Sequence, residues 1–531
     1  MEKQGAPILG RKVFLYLTSF FSGMSVMAIE LGASRLLAPY FSSSQIVWTV
    51  IIGTIMIAMA IGNVWGGRSA DKHPEPERLF KRLLLVAIWT ALIPFVGRYV
   101  IAGVSGLLAL FVHSNFLVWA SLCSCLVLFV FPLMLLGTVS PSLMKYTTDS
   151  LDDNGKTLGE LEALNTIGSI IGTFLPTFVT IPAVGTARTF LIFAAILAVI
   201  SLAFFISRHK WIARSAICAV VITTLIFTPM NYSFAFWGGD DIVLEDESIY
   251  NYLQVTEDEN SINLSTNVAF GVQSRKMKSG GMTGMYYDYA LAAPLMAENV
   301  EDVLILGLGT GTFAEQCLEY FPGCSVTGVE IDEKIVNISR EYFDLPEEVN
   351  AIVGDGRAWL TASDEQWDVI MVDAYQDITI PFQMSSVEFF TEVREHLEPG
   401  GVMVVNMSMR SESEGSMNEY LMDTIASVFP YCATVKVSGG SNLELFATAD
   451  EGGFERLSGR IDALGEDDPL NAIMGRVEAG LVPVEGGELI LTDDKAPVEL
   501  LGMRVLDEMI SSELETLRGQ IKENGIMSLL G

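Results

Sequence analysis

The spacing of apolar and polar positions changes twice along this chain. Before about Phe236 the apolar residues run in long blocks with few charges. From Asp246 they alternate with polar residues. From Val303 they fall into short apolar runs separated by stretches of helical spacing. Crossing a bilayer takes about twenty consecutive apolar residues. Candidate spans lie at 13–34, 45–66, 80–97, 115–138, 160–183, 186–207 and 211–229. The stretch 99–113, "YVIAGVSGLLALFVH", is short, and reads either as an eighth span or as a helix lying in the interface. The start, "MEKQGAPILGRKVFLYLTSFF", has no small-residue cleavage site and runs straight into a long apolar block, so it reads as the first span.

The alternating stretch, "SIYNYLQVTEDENSINLSTNVAFGVQSRK", has turn residues at Glu257–Ser261 and predicts a small antiparallel hairpin layer. "GMYYDYALAAPLM" predicts a helix leading into the next strand. This order places the β module as a lid, with Tyr286, Tyr287 and Tyr289 lining what it covers. Next, "DVLILGLG" reads as a strand buried on both faces, followed by a glycine turn and the helical "TFAEQCLEYFP". "SVTGVEID", "VNAIVGDG", "WDVIMVDAYQD" and "GGVMVVNMSM" repeat the strand theme with helices between them. Strands alternating with helices predict a doubly wound, Rossmann-like parallel sheet. The fold class expected is therefore a multi-span α-helical membrane bundle, a small antiparallel β module and an α/β domain. Their limits are 1–235, 236–285 and 286–531, and the last ends in an amphipathic helical tail.

Composition supports two solvents. The chain has 531 residues, half of them apolar, a mean hydropathy of +0.41 and a formal charge of −32. The apolar excess lies in the first part and most acids in the second. An acidic balance argues against nucleic acid as a partner, because phosphates and carboxylates repel. The six cysteines show neither a disulfide framework nor metal-ligand spacing, which fits a reduced compartment and no metal. The loop "GGRSADKHPEPERLFKR" carries five basic residues and belongs in the cytoplasm by the positive-inside rule. Lys3, Arg11 and Lys12 put the N-terminus on the same side, and "SRHKWIAR" favours that side for its own loop. Seven spans then put the second part outside, and eight put it inside. The chemistry argues for inside, so the expectation is a plasma-membrane protein with a cytoplasmic catalytic domain.

Polar groups inside or beside the spans include Glu30, Arg35, Asn63, Arg68, Arg98, Glu160, Glu162 and Asn165. Such groups are costly in lipid, and read either as ties between helices or as a substrate path. "GSIIG" reads as a packing face. "GNVWGGRSADK" and the stretch around "GELEALNTIGSIIGTF" resemble loops of a major-facilitator half.

Ligands on a doubly wound sheet bind beyond the carboxyl ends of its strands. Gly307, Gly309 and Gly311, then Glu330, Asp355, Asp373 and Asp377, all fall at such ends. A carboxylate about twenty residues after a glycine turn suits ribose hydroxyls. The spacing is GxGxG, not the GxGxxG of dinucleotide sites, and a second acidic turn, "GDG", offers Asp355 to an adenine amino group. "LEPGG" and the closing hairpin "TVKVSGGSNLELFATA" complete the pattern. Together these resemble the S-adenosylmethionine-dependent transferase fold, and specifically the spermidine synthase (polyamine aminopropyltransferase) family. The pieces that carry the resemblance are "SIYNYLQV", "FGVQS", "LGLGTGTF", "VEID", "GDGRAWL" and "VDAYQDITIP" with "EFF". "LTDDKAPVE" is similar to a C-terminal segment of membrane-fused members.

The resemblance implies decarboxylated S-adenosylmethionine, or the intact form, as cofactor, and a small amine as substrate. It implies Gln273, Gly307, Gly309, Thr310, Gly311, Glu330, Asp355 and Gly356 at the cofactor. It implies Asp377 as the base that takes the amine's proton, with Asp373 beside it, and Tyr286, Tyr287, Asp288 and Tyr375 facing the amine. A polyamine is a cation: carboxylates bind it, and it must lose a proton to become a nucleophile. This chain departs from the family at three places. Thr310 stands where the family has an aspartate. Tyr287 and Asp288 replace a histidine and a glutamate, without the paired acids that precede them. "DAYQD" is one residue longer than the usual spacing. Three functions stay open: a membrane-anchored aminopropyltransferase, a methyltransferase on the same fold, and a transporter or sensor with a non-catalytic synthase-like domain. The expected partners are the lipid bilayer, the small amine and, through the tail, a second copy in a homodimer.

Overall fold

The computed structural model describes residues 12–41, 44–147, 154–208, 212–229, 241–267, 271–374, 380–408, 411 and 413–524. The chain divides into two compact units. One holds Met1–Gly239, Glu245–Tyr252 and Leu514–Gly531; the other holds Asp240–Leu244 and Leu253–Glu513.

The first unit is helical: α1 (Lys12–Phe41), α2 (Gln45–Lys72), α3 (Pro76–Ala109), α4 (Phe116–Leu128), α5 (Val130–Gly137), α6 (Val139–Thr147), α7 (Asn154–Leu175), α8 (Ile181–Ser207) and α9 (Ile212–Phe227). Most of the stretch expected as a separate segment at 99–113 is instead the end of α3, which runs to Ala109. Arg98 interrupts the apolar run but not the helix, since arginine is a good helix former. The expected span at 115–138 is bent: Phe116–Leu128 and Val130–Tyr146 meet at 51°. Pro132 explains the bend, because it has no N–H to give the carbonyl of Leu128. That carbonyl accepts from Trp89 Nε1 instead, at 2.8 Å.

The stretch Gly155–Ser207 is helical over 53 residues, which at 1.5 Å per residue would be ~80 Å of straight helix. It reverses at Gly185, whose φ of 79° and ψ of 166° are non-helical. Contacts with α1 show the reversal. Phe20 and Met24 meet Gly168 and Gly172, so α7 runs parallel to α1. Gly32 meets Phe190 while Met24 and Ala28 pack with Phe193, so α8 runs antiparallel to it. The amide of Thr186, freed by the break, donates to the Glu247 carboxylate at 3.2 Å. α9 returns along α8, with Arg214 over Phe205 at one end and Arg188 Nε donating to the Thr228 carbonyl (2.7 Å) at the other. Among the described residues, four helices are long and apolar enough to cross a membrane, or five with the bent pair counted as one.

"GSIIG" does pack: a methyl group on Gly168 would lie 1.9 Å from the Phe20 carbonyl oxygen. The polar residues beside it tie α7 to α1. Asn165 Nδ2 donates to the Ser19 carbonyl at 3.1 Å, and Tyr16 donates to Glu160.

The second unit is α/β. Strand β1 (Ile242–Glu247) lies across the boundary between the units. β2 (Tyr252–Glu257), β3 (Ser261–Thr266) and β4 (Ser274–Met277) form an antiparallel meander, as the alternation predicts. Its apolar face, Leu253, Val255 and Leu264, packs on Ile335, Ile338 and Phe343. The tyrosine segment breaks at Leu291 into two short turns, α10 (Tyr286–Ala290) and α11 (Ala292–Met296). Then follow β5 (Asp302–Leu306), α12 (Thr312–Tyr320), β6 (Ser325–Glu330), α13 (Glu333–Tyr342), β7 (Asn350–Val353), α14 (Gly356–Ala362), β8 (Trp367–Val372), α15 (Val387–Glu395) and β9 (Leu397–Met407). α16 (Met417–Val428), β10 (Tyr431–Lys436), β11 (Leu443–Thr448), α17 (Gly453–Ala463), α18 (Pro469–Gly480), β12 (Val482–Pro483) and α19 (Val498–Asn524) complete it.

The large sheet has the order β12-β10-β11-β9-β8-β5-β6-β7. Strands β5 to β9 are parallel, while β10, β11 and β12 add an antiparallel edge. The sheet is therefore mixed, not wholly parallel. Alternate residues feed two cores, as the period of two requires. Val303, Ile305, Met371, Val404 and Phe446 meet the tyrosine segment on one face; Leu304, Leu306, Val372, Val405 and Leu445 meet α15 and α16 on the other.

"LTDDKAPVE" has a structural use. Arg357 grips Asp493 with both terminal nitrogens, at 2.7 and 2.8 Å, and Ser386 adds a third bond. The tail's last turns belong with the first unit: Arg518 Nε donates to the Ala109 carbonyl at 2.7 Å.

Candidate active site

The glycine turn sits where β5 ends. Gly307, Gly309 and Gly311 all have positive φ (97°, 55° and 83°), which a side chain would strain. Their surroundings differ. A methyl group at Gly307 would lie 2.5 Å from the Asp373 carbonyl oxygen, and one at Gly311 2.1 Å from Leu345. These two glycines are required by the protein's own packing. At Gly309 a methyl group would meet only Ser274 Oγ among the described residues, at 3.1 Å, so packing leaves this glycine the most open of the three. At Gly356 nothing comes nearer than 3.6 Å, so packing does not demand glycine there.

Glu330 lies at the end of β6, and its carboxylate is buried. Oε2 accepts from the Gly309 amide (2.9 Å) and Oε1 from the Asp332 amide (3.1 Å). Burial pushes its pKa up, and these two bonds oppose the rise. One bond on each oxygen leaves acceptor capacity for hydroxyl groups. Asp355 caps α14: Oδ1 accepts from the Ala358 amide at 2.8 Å. Thr310 is buried. Its amide makes a long contact with Ser274 Oγ (3.5 Å), and its hydroxyl another with Thr312 (3.4 Å). Gln273 closes the β module, with its amide on the Leu264 carbonyl at 2.8 Å.

Asp373 follows β8 and gathers the rest of the site. Tyr286 Oη donates to Oδ2 at 2.5 Å, and Asn406 Nδ2 donates to Oδ1 at 2.8 Å. Burial pushes the Asp373 carboxyl up to about 7, the two hydrogen bonds oppose this, and the charge of Glu330 adds to it. Asn406 is oriented in turn by Asn442, which donates to its Oδ1 at 2.8 Å. Glu444, on β11, is fully buried, and neither carboxylate oxygen has a hydrogen-bond partner among the described residues. Burial, and then the charge of Asp373, push its pKa well up.

The other expected substrate residues have different duties. Asp288 accepts from the Thr283 hydroxyl and amide, the Gly284 amide and Gln316 Nε2 (2.6 to 3.2 Å), so it fixes the turn before α10 and does not face an amine. Tyr287 Oη accepts from the Arg275 amide (2.7 Å), and Tyr289 Oη from the Ser438 amide (3.2 Å). Both are buried props for neighbouring strands. Among the described residues, Tyr286 alone of the three tyrosines bonds to a site acid. Asp377, the expected base, and Tyr375 lie outside the described residues.

Sequence reasoning did not single out Ser274, Asn406 or Glu444. The one local signal was an acid between two leucines, in the "NLELFATA" of a closing strand.

Residues 285–438 match the family model described as the spermine/spermidine synthase domain. The chain is similar to a probable polyamine aminopropyl transferase of Bifidobacterium longum, 49% identical over 347 residues, which cover 62% of this chain and 77% of the relative. A polyamine aminopropyltransferase of Vibrio vulnificus is 28% identical over 202 residues, covering 36% of this chain and 66% of that one. Among solved structures, a probable spermidine synthase from Corynebacterium glutamicum is 21% identical, covers 46% of this chain and 98% of its own, and has a TM-score of 0.37. With nearly half of the residues shared over three quarters of the Bifidobacterium relative, the chain belongs to the polyamine aminopropyltransferase family.

Proposed function

We propose that the second unit moves an aminopropyl group from decarboxylated S-adenosylmethionine to a primary amine such as putrescine, and that the first unit anchors it in a bilayer. The observation that carries the reaction is Asp373, a buried carboxyl at a strand end with a pKa near 7, held by Tyr286 and Asn406. A base poised near the working pH is the efficient one.

The residues present fit the donor. Gly309 leaves open backbone at the turn, and Glu330 keeps acceptor capacity for ribose hydroxyls. Asp355 stands at a helix start, where its second oxygen suits an adenine amino group. When bound, decarboxylated S-adenosylmethionine supplies the carbon beside its sulfonium to the amine nitrogen, and the carbon–sulfur electron pair leaves with a neutral thioether. Asp373 draws the ammonium in, which lowers its own pKa, and then takes the proton that frees the nitrogen lone pair. Tyr286 and Asn406 fix the carboxylate plane, so the proton is taken at a set position.

The anchor rests on the surface of the first unit. Met56 is 67% exposed, Ile57 62%, Val220 65% and Phe227 79%. Large apolar faces of this kind are rare on soluble monomers. The side of the membrane is argued two ways. Ion pairs from Arg214 to Glu77 (3.8 Å) and Lys145 to Asp71 (2.9 Å) gather the basic loops at one end, which the positive-inside rule puts in the cytoplasm. α9 leaves from the other end, beside Arg188. A cytosolic donor requires a cytoplasmic catalytic unit instead. A reporter fused after Gly531 decides: an exterior signal removes the cytosolic donor.

The reaction is tested on the purified full chain in detergent, given decarboxylated S-adenosylmethionine and a panel of amines. An aminopropylated amine with a matching yield of thioether nucleoside is expected. Product from intact S-adenosylmethionine alone supports the methyltransferase reading, which Thr310 favours because it lacks the acid that would repel a donor carboxylate.

A further inference from the structure

Two buried acids in the second unit are in opposite states. Asp288 has four donors. Glu444 has none among the described residues, although it is equally hidden from water. A buried carboxylate without a partner is costly, and natural proteins rarely keep one without a use.

The strand register places it. Glu444 on β11 stands opposite Asn406 on β9 and Val435 on β10. Residues directly opposite on antiparallel strands share a face. That face is the one whose core holds Val435, Phe446 and Tyr286, and Asn406 uses it to reach Asp373. The electrostatics agree, since the charge of Asp373 bears on Glu444 and that of Glu444 on Tyr286.

The chemistry of this corner is one-sided. Asp373 and Glu444 offer carboxylate oxygens, and the hydroxyl proton of Tyr286 is already committed to Asp373. The complement is a small group with several donors and a positive charge. A metal ion does not fit: among the described residues no cluster of three metal-ligating side chains occurs. A primary ammonium does fit, being compact, cationic and a triple donor.

We propose that Glu444 is a substrate-binding acid of this enzyme: it receives a primary ammonium of the acceptor amine beside Asp373 and sets the affinity for it. This rests on the aminopropyl-transfer reading. Glu444 binds, whereas Asp373 takes the proton. Loss of Glu444 therefore acts on KM for the amine, and loss of Asp373 on kcat.

The test uses the full chain in detergent with three variants: Glu444→Gln keeps the shape and removes the charge, Glu444→Asp keeps the charge, and Glu444→Leu removes both. Putrescine and decarboxylated S-adenosylmethionine are titrated separately by calorimetry, and turnover is measured in parallel. Glu444→Gln is expected to weaken putrescine binding and raise its KM by about 10- to 100-fold, the range for a lost charge-assisted bond. Donor affinity stays within about twofold, Glu444→Asp recovers part of the amine binding, and ligand-free Glu444→Gln and Glu444→Leu melt no lower than the wild type. A structural role predicts the reverse, with lower melting and unchanged putrescine affinity in Glu444→Gln, and that result overturns the proposal. So does a loss confined to the donor, or a wild type that binds no diamine. If the wild type binds putrescine, Glu444→Gln does not, and neither transfers an aminopropyl group, the transfer reading fails while the site stands.

Discussion

The second unit holds acids of two kinds, at what we propose are the nucleoside and amine ends of its site. At the nucleoside end, Glu330, Asp332 and Asp355 each accept at least one backbone amide, from the glycine turn or from a helix start. At the amine end, among the described residues, Asp373 has two side-chain donors and Glu444 has none. The first set is held by local backbone. Burial raises Glu330, Asp373 and Glu444 alike, but the second set has no backbone amide to hold its charge, and on the proposed reading it takes up its charge when a cation arrives. On the proposed reading, the nucleoside end positions a neutral sugar and base. The amine end is built to attract charge and to move a proton.

Four perturbations sharpen that contrast. The largest effect is expected from Asp373→Asn: kcat for aminopropyl transfer falls about a hundred- to ten-thousand-fold, the range for loss of a general base, while donor affinity changes little. A fall in donor affinity instead would move Asp373 to the nucleoside end. Next, Glu330→Gln weakens donor binding by about 10- to 100-fold in calorimetry, with the KM for putrescine nearly unchanged.

Third comes pH. A base must be deprotonated, so kcat/KM should fall as pH drops through about 7, the value to which burial lifts Asp373. Stability runs the other way. A carboxyl whose native pKa lies above its unfolded value of ~3.9 contributes fully below the unfolded value, and the contribution is lost as pH rises through about 7. Asp373→Asn should therefore melt higher than the wild type at pH 8 and equally at pH 4. The smallest effect is expected from Tyr286→Phe. It removes a hydrogen bond that holds the Asp373 pKa down, so the acid limb of the pH–rate profile moves to higher pH. Tyr287→Phe, whose hydroxyl bonds to the Arg275 amide and to Met285 Sδ and not to Asp373, leaves that limb where it was.

The same contrast explains what could be read from the sequence. The nucleoside end is local: strand, glycine turn, and acid at the next strand's end follow one another in the chain, so Gly307–Gly311, Glu330 and Asp355 were legible as a group. The amine end is assembled from far apart. Tyr286 meets Asp373 across 87 positions, and Asn406 meets it across 33. Glu444 joins only because β11 inserts antiparallel beside β9, a pairing that spacing alone does not specify. Asp288 misled for the opposite reason. Its place in a family motif suggested substrate, while its four donors come from the neighbouring turn and from α12.

The helical unit divides similarly. Its apolar blocks set where most helices lie, and "GSIIG" was legible as a packing face because only backbone contact explains such spacing. The unbroken α3 was not legible, because hydropathy falls at Arg98 while helix propensity does not. The bend after α4 depended on Trp89 reaching a carbonyl that Pro132 leaves without a partner.

The claim that the amine end waits for a cation can be measured as protons. Putrescine is titrated into the full chain by calorimetry at pH 6.5, in buffers of different ionisation enthalpy, with Asp373→Asn as reference. At that pH an acid with a pKa of about 7 is mostly protonated. Binding of the diamine should release protons from the wild type and fewer from Asp373→Asn. Binding with no dependence on the buffer, or with equal release from both proteins, would contradict the account.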